Sequence, residues 1–393
     1  MTRVQCDPAC APARVCGRVA RENALRCVCG GGCVGAWGDA EGMTAESKRQ
    51  RVHESGAADS GRPVRSGAMK KLGTHDGTFH CDEAFAIYML RLLDEYKDAE
   101  VVRSRDPKVW EGVDVLVDVG AVYDHQAKRY DHHQRGFEEF FSLERSEIKL
   151  SSAGLVYKHY GRDIIKAVLP GVRDDALEVL YTKVYSGFIE AIDAIDNGIQ
   201  MFESTQPARY SMRTDLSSRV GALNQNWNES DEDFDAMARF KQASELAGTE
   251  FVACVKYYAN VWLPARDIVV LVLNSRFLED SSGNILVLEQ FCPWKAHLFD
   301  LEEELAIPAA ERPLFVIYAD YGKSWRVQAV PETESSFKSR KPLPEAWRGL
   351  RDDELSAKSG IPGCIFVHAA GFIGGNVTKE GALEMARQAL RIE

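Results

Sequence analysis

The sequence predicts an α/β fold: a parallel sheet with flanking helices, a helical linker, and a smaller α+β lobe at the C-terminus. Three observations predict it. Short β-branched runs alternate with helical periods from Lys70 onward, long helical periods then follow one another, and strand-like runs return beyond Ala265 until a last helix. A chain of 393 residues with 45% hydrophobic and 27% charged content suits two or three folded domains.

In chain order, residues 1–68 mix Gly, Ala, Arg, Cys and Ser without a sustained apolar period, which is the composition of a disordered leader. Arg3, Arg14, Arg18, Arg21 and Arg26 face only Asp7 and Glu22, as in a leader addressed to the mitochondrial matrix. Lys48-Arg49-Gln50-Arg51 is a basic cluster of the nuclear-import kind, so both mitochondrion and nucleus are expected locations. Cys6, Cys10, Cys16, Cys27, Cys29 and Cys33 crowd this leader. Their spacing lacks the paired knuckles of a zinc site, so an unstructured leader is the expectation. Cys81, Cys254, Cys292 and Cys364 read as reduced, buried thiols.

Residues 69–200 form the expected α/β domain, with strands at Lys70–Leu72, Glu100–Arg103 and Val113–Val119 and helices at Asp82–Glu95, Ser152–Tyr160 and Asp175–Asp196. Residues 201–264 read as a helical connector, dominated by Asp231–Tyr258. Residues 265–393 form the α+β lobe, with strands at Ile268–Leu273, Ile285–Leu288, Leu314–Tyr318, Trp325–Val330 and Ile365–His368 before a helix from Thr378 to Ile392. The stretch Pro331–Pro362 is long enough for a functional or mobile loop. No apolar run approaches the roughly 20 residues that span a bilayer, which excludes a helical membrane protein. The net charge of -11 argues against coating nucleic acid by bulk electrostatics. Phosphates would instead be met by metal ions and a few aimed Lys, Arg and His side chains.

Metal-ligating residue types cluster behind the strand-like runs: His75-Asp76-Gly77-Thr78-Phe79-His80-Cys81-Asp82 after the first, Asp118 after Val113–Val117, and Asp131-His132-His133 after Tyr130. In an open parallel sheet the loops at the carboxyl ends of strands meet in one crevice. Imidazole and carboxylate together suit Mn, Mg or zinc, and a carboxylate can bridge two ions about 3.5 to 4 Å apart. Asp193 and Asp196 add acids on one face of an otherwise apolar helix end, where an unpaired carboxylate beside Ile192 and Ile195 is costly. A two-metal hydrolytic site is the inference.

His75, His80 and Asp82, then Asp118, then Asp131-His132-His133, then Asp196, follow the order of the motifs of DHH phosphoesterases. Gly73–Ala84, Asp131–Arg135 and Gly363–Gly375 resemble the Myg-type (melanocyte proliferating gene) branch of that superfamily, over about Lys70 to Glu393. The resemblance implies a DHH-type sheet and two divalent ions, Mn or Mg. His75, His80 and Asp118 would hold one ion; Asp82, Asp118, His132 and Asp196 the other, with Asp118 as the bridge. The wider superfamily has Asp where this chain has His80. Asp131 would orient its neighbours and His133 would face the scissile phosphate. His368, Gly371, Gly374 and Gly375 resemble the superfamily's substrate-binding turn, in which backbone amides approach phosphate. Arg340 and Lys341 supply donors that match phosphates. The activity so implied is 3′-to-5′ exonucleolytic hydrolysis of single-stranded RNA.

Two other readings compete. The same metal centre would serve a small-molecule phosphatase or pyrophosphatase, and the fold without turnover would serve as an RNA-binding scaffold, against which the intact ligand set argues. The scattered tryptophans read as core, with Trp294-Lys295 and His297 the one cluster that resembles a base-stacking site.

Overall fold

The computed structural model describes residues 69–202, 209–230, 232 and 234–392. The expected leader, its cysteine cluster and both targeting signals lie outside the described residues. Among the described residues no helix is long and apolar enough to cross a membrane.

The first lobe contains β1 (Lys71–Thr74), α1 (Cys81–Arg91), β2 (Glu100–Arg103), α2 (Pro107–Trp110), β3 (Val115–Val117), β4 (Tyr123–Asp124) and β5 (Arg129–Tyr130). A hairpin of β6 (Phe140–Ser142) and β7 (Arg145–Lys149) leads to α3 (Ser152–Val168), α4 (Asp174–Val184), α5 (Glu190–Asp196), α6 (Leu216–Gly221) and α7 (Ala236–Tyr257). The sheet has the order β2-β1-β3-β5-β4; β1 is parallel to β2 and β3, β3 to β5, and β4 is antiparallel to β5. This is the parallel sheet that the strand-helix alternation predicts.

Beyond its acidic first turn, helix α1 buries Ala84, Phe85, Ala86, Ile87, Met89 and Leu90 against the sheet, α3 and α7. Each large side chain placed there contributes about 1.5–3 kcal/mol of apolar burial. Helix α7 adds Phe240, Ala243, Ala247, Phe251 and Val255 to the same core. The expected helix Asp175–Asp196 is interrupted by a π-helical segment, Tyr185–Ile189, which re-aims α5. Gly154 lets α3 approach α5 closely, because a Cβ there would collide with the Asp193 carboxylate.

From α7 the helix runs through Tyr258–Trp262 into α8 (Leu263–Glu279), and the second lobe follows: β8 (Ile285–Leu288), α9 (Trp294–Glu304), β9 (Phe315–Ala319), β10 (Trp325–Ala329), α10 (Asp352–Ser359), β11 (Cys364–Val367), β12 (Ile373–Asn376) and α11 (Lys379–Arg391). Its sheet order is β11-β12-β10-β9-β8, with β8 and β9 parallel and the other pairs antiparallel. Alternate residues of β8 and β9 feed two cores. Ile285, Val287, Phe315 and Ile317 meet α11, while Leu286, Leu288, Val316 and Tyr318 join the cluster of α8 and α9.

Three expectations are corrected here. Ile268–Leu273 is not a strand but the middle of α8, because Ala265, Val269 and Leu273, four apart, form its buried stripe and that packing outweighs β-branched propensity. Pro331–Pro362 is not a mobile loop: Leu343, Trp347, Leu355 and Ile361 are core residues, and α10 lies within it. Gly374 and Gly375 are not in a turn. They sit in β12, paired with β10 on one side and β11 on the other, so their amides belong to a central strand.

Candidate metal centre

The ligand-bearing residues follow the carboxyl ends of β1, β3 and β5, and the topology brings those ends side by side. His75 leaves β1 with its ring buried. Its Nδ1 lies 2.9 Å from the Asp76 carbonyl, which turns Nε2 toward Glu83 Oε1 at 3.2 Å and Asp118 Oδ2 at 3.3 Å. Burial alone would lower its pKa, but Asp118 and Glu83 outweigh it and raise it to about 10.

Asp118 closes β3 in the left-handed region, φ +56°, followed by Gly120 and Ala121 at positive φ. Left-handed geometry costs a non-glycine residue on the order of 1 kcal/mol or more and persists where its surroundings impose it. Here the Asp118 amide donates to Tyr130 of β5. The strained turn points the two carboxylate oxygens in different directions. Oδ2 faces His75, while Oδ1 accepts from Ser152 Oγ at 3.2 Å and lies 3.5 Å from His133 Nδ1 and 3.6 Å from His132 Nδ1.

His132 Nε2 meets Asp196 Oδ2 at 2.9 Å, and this pairing, against the opposing effect of burial, raises the ring's pKa. Asp131 is buried. It accepts the amides of Ala121 and His133 and the His133 ring at 2.8 Å. Burial would push its carboxyl up, yet these hydrogen bonds hold it below the ordinary range. Asp131 thus fixes the ring of the exposed His133.

Asp82, in the first turn of α1, is wholly buried, and among the described residues no N–H or hydroxyl reaches either carboxylate oxygen. Burial first, then repulsion from Asp118, Asp196 and Glu83, drives its pKa well above normal. A buried carboxylate without donors is a fit for a divalent cation, which would satisfy both oxygens. Three groups of side chains have ligand atoms within 4.8 Å of one another: His75, His80, Glu83 and Asp118; Asp118, Asp131, His132 and His133; and Asp82, His132 and Asp196.

Every sequence-predicted ligand is therefore in the cluster, and Asp196 rather than Asp193 faces it. Asp193 is buried 42 positions along from Ser151, whose amide and hydroxyl it accepts at 3.0 and 2.7 Å, and it also accepts from Tyr185. Desolvation lifts its pKa to about 7. It anchors α5 to the start of α3. Sequence reasoning missed Glu83, which accepts the His80 amide at 2.8 Å and faces His75. The available signal was a second acid beside Asp82 on an otherwise apolar helix. It also missed Arg105, whose Nη2 is 3.2 Å from His75 Nδ1, and Asn224, which clamps the amide and carbonyl of Phe79.

The expected substrate-binding residues belong to the other lobe and share no ligand group with this cluster. His368 is exposed at the start of the β11–β12 turn, packs on Phe372 and accepts the Ala370 amide through Nδ1. Gly371 holds the turn at φ +71°. A Cβ on Gly374 would meet Leu343 and one on Gly375 would meet Arg326, so both glycines allow close packing. Arg340 is corrected: it makes a two-pronged ion pair with the wholly buried Glu302, at 2.6 and 2.7 Å, and is not free to clamp phosphate. Lys341 is half-buried beside it.

Two connected clefts open over the cluster. One, of about 400 Å³, is lined by Phe79, Asp82, Asp196 and Ser217; the other, of about 470 Å³, by His75, Arg105 and Trp110, and His80, Asp118 and His133 border both.

The sequence has relatives over most of its length. The family model MYG1_exonuc, described as Uncharacterised protein family (UPF0160), matches residues 71–390. "MYG1 protein C27H6.8" of Caenorhabditis elegans is 51% identical over 328 residues, 82% of this chain and 95% of that one. "MYG1 exonuclease" of Homo sapiens is 50% identical over 329 residues, 82% and 86% of the two chains. Among solved structures, "Crystal structure of exonuclease RecJ bound to manganese" aligns over 82% of this chain and 91% of that one, at 12% identity and a TM-score of 0.22. The family match takes in all the ligand-bearing segments and the whole second lobe, and the chain belongs to the MYG1 exonuclease family.

Proposed function

We propose that the protein is a two-metal phosphodiesterase that removes nucleotides from the 3′ end of single-stranded RNA. One observation carries the reading: Asp118 turns its two oxygens toward separate groups of histidines and acids, and the adjacent Asp82 carboxylate has no donor of its own. Relatives named exonucleases, half identical over most of their length, support phosphodiester hydrolysis.

His75, His80, Glu83 and Asp118 would hold one Mn or Mg ion, and Asp82, His132 and Asp196 the other, with Asp118 shared. Such ions supply a hydroxide at neutral pH and neutralise charge developing on phosphorus. The chain does the rest. Asp131 holds the His133 ring at the cleft mouth, where an imidazole N–H donates to a phosphate oxygen. Arg105, 63% exposed and tethered by Asp76, offers guanidinium N–H groups on the same rim. Ser152 and the Tyr130 carbonyl fix the orientation of Asp118.

The test is purified protein with Mn or Mg on RNA labelled at either end. Shortening from the 3′ end by single nucleotides is expected. Hydrolysis of pyrophosphate or a small phosphomonoester with RNA left intact would assign the centre to the phosphatase reading instead.

A further inference from the structure

At the seam between α4 and the second sheet lies a separate cleft of about 530 Å³ that includes none of the candidate ligands. Its walls are aromatic: Tyr257 and Phe291 present roughly half their surface to solvent, and the Phe291 ring packs on Tyr318 at 5.0 Å. Its charged lining is Lys183, Lys295 and Glu334, and among the described residues neither lysine has a carboxylate partner within ion-pair distance. Lys183 Nζ sits 4.9 Å over the ring of Trp262. Trp262 itself is buried beneath the cleft, with the His297 ring against it at 4.3 Å.

Open aromatic faces and ammonium groups without ion-pair partners form a chemistry that one kind of ligand meets. A nucleobase offers a π-face to Phe291 and Tyr257, while the attached phosphate answers the lysines. On a chain of net charge -11, an aromatic cleft with two lysines against one glutamate favours an anion with a flat apolar part.

We infer that this cleft is a base-stacking subsite that grips the single-stranded RNA away from the metal centre; the inference rests on the exonuclease reading and names a second place where the same strand is held. Stacking tolerates any base, so the grip adds affinity for length and not for sequence.

The experiment measures the anisotropy of a fluorescein-labelled, phosphorothioate-linked short oligouridylate on the full-length protein and on Phe291→Ala/Lys295→Ala, both surface positions. The variant is expected to bind roughly 10-fold more weakly. A 4-thiouridine in the strand is expected to cross-link to Phe291 or Tyr257, and UMP alone is expected to compete poorly. Equal binding by wild type and variant, with no cross-link in the cleft, overturns the inference and leaves the exonuclease reading standing. Competition by UMP as effective as by the oligonucleotide also overturns it, making the cleft a mononucleotide site. Failure of the wild type to bind any RNA defeats the exonuclease reading itself, and this inference with it.

Discussion

Asp82 in the first lobe and Glu302 in the second are equally hidden from solvent and have opposite surroundings. Glu302 receives both arms of Arg340, with Arg312 behind at 3.7 Å. Asp82 receives no donor among the described residues and stands among other acids. A buried carboxylate answered by a guanidinium is part of the scaffold, because the ion pair is complete within the chain. One left unanswered makes the metal-free fold less stable, and the cluster keeps that cost in order to attract a cation. Burial and charge alone do not distinguish the two roles; the partner does.

The comparison can be broken at its functional end first. Asp118→Asn removes the charge shared by both ligand groups and is expected to lower turnover by roughly 10³-fold, the upper range for losing a group that stabilises transition-state charge. Circular dichroism should show the fold retained, and turnover near wild type would remove Asp118 from the site.

At the scaffold end, Arg340→Ala strands Glu302 and is expected to cost about 3–5 kcal/mol of stability in denaturant unfolding. Activity per folded molecule should persist. A loss of RNA affinity without loss of stability would return Arg340 to the substrate site.

A smaller effect belongs to Asp131→Asn, which leaves the ligands in place and releases His133. Metal affinity or turnover should fall roughly 10- to 100-fold, read by metal titration alongside rate. No change would mean that His133 needs no orientation.

The smallest effect is on pH. The His159 ring is stacked on His125 at 3.8 Å and bonded by Tyr123, and burial with the neighbouring His125 lowers its pKa from 6.5 to about 4. The folded state therefore favours the neutral ring, and the unfolded chain takes up the proton first. Its contribution is full above pH 6.5 and is lost as pH falls toward 4. His159→Phe should flatten that limb of the stability profile, and an unchanged limb would exclude the ring as its source.

Much of this was legible in residue order. The strand-helix alternation from Lys70 onward fixes a parallel sheet, and in such a sheet ligands placed after strands must converge; His75, Asp118 and Asp131-His132-His133 do so. What was illegible depends on tertiary contacts. The run Ile268–Leu273 reads as a strand until its packing partners are known, and it is helical because its 3.6-residue stripe faces α9 and β8. Glycines 374 and 375 read as a turn because their absence of side chains was visible while Leu343 and Arg326, which require it, were distant in sequence. Arg340 looked like a phosphate clamp because Glu302, 38 positions away, carries no local sign of being its partner. Asp193 and Asp196 share a helical face, and only the positions of Ser151 and His132 separate anchor from ligand.

The most direct test is calorimetric titration of Mn into metal-free wild-type protein, with thermal unfolding followed in parallel. Two ions per chain, a rise in Tm with metal, and release of the protons that the cations displace from His75 and Asp82 are expected. Absence of binding and an unchanged Tm at saturating Mn and Mg would contradict the account.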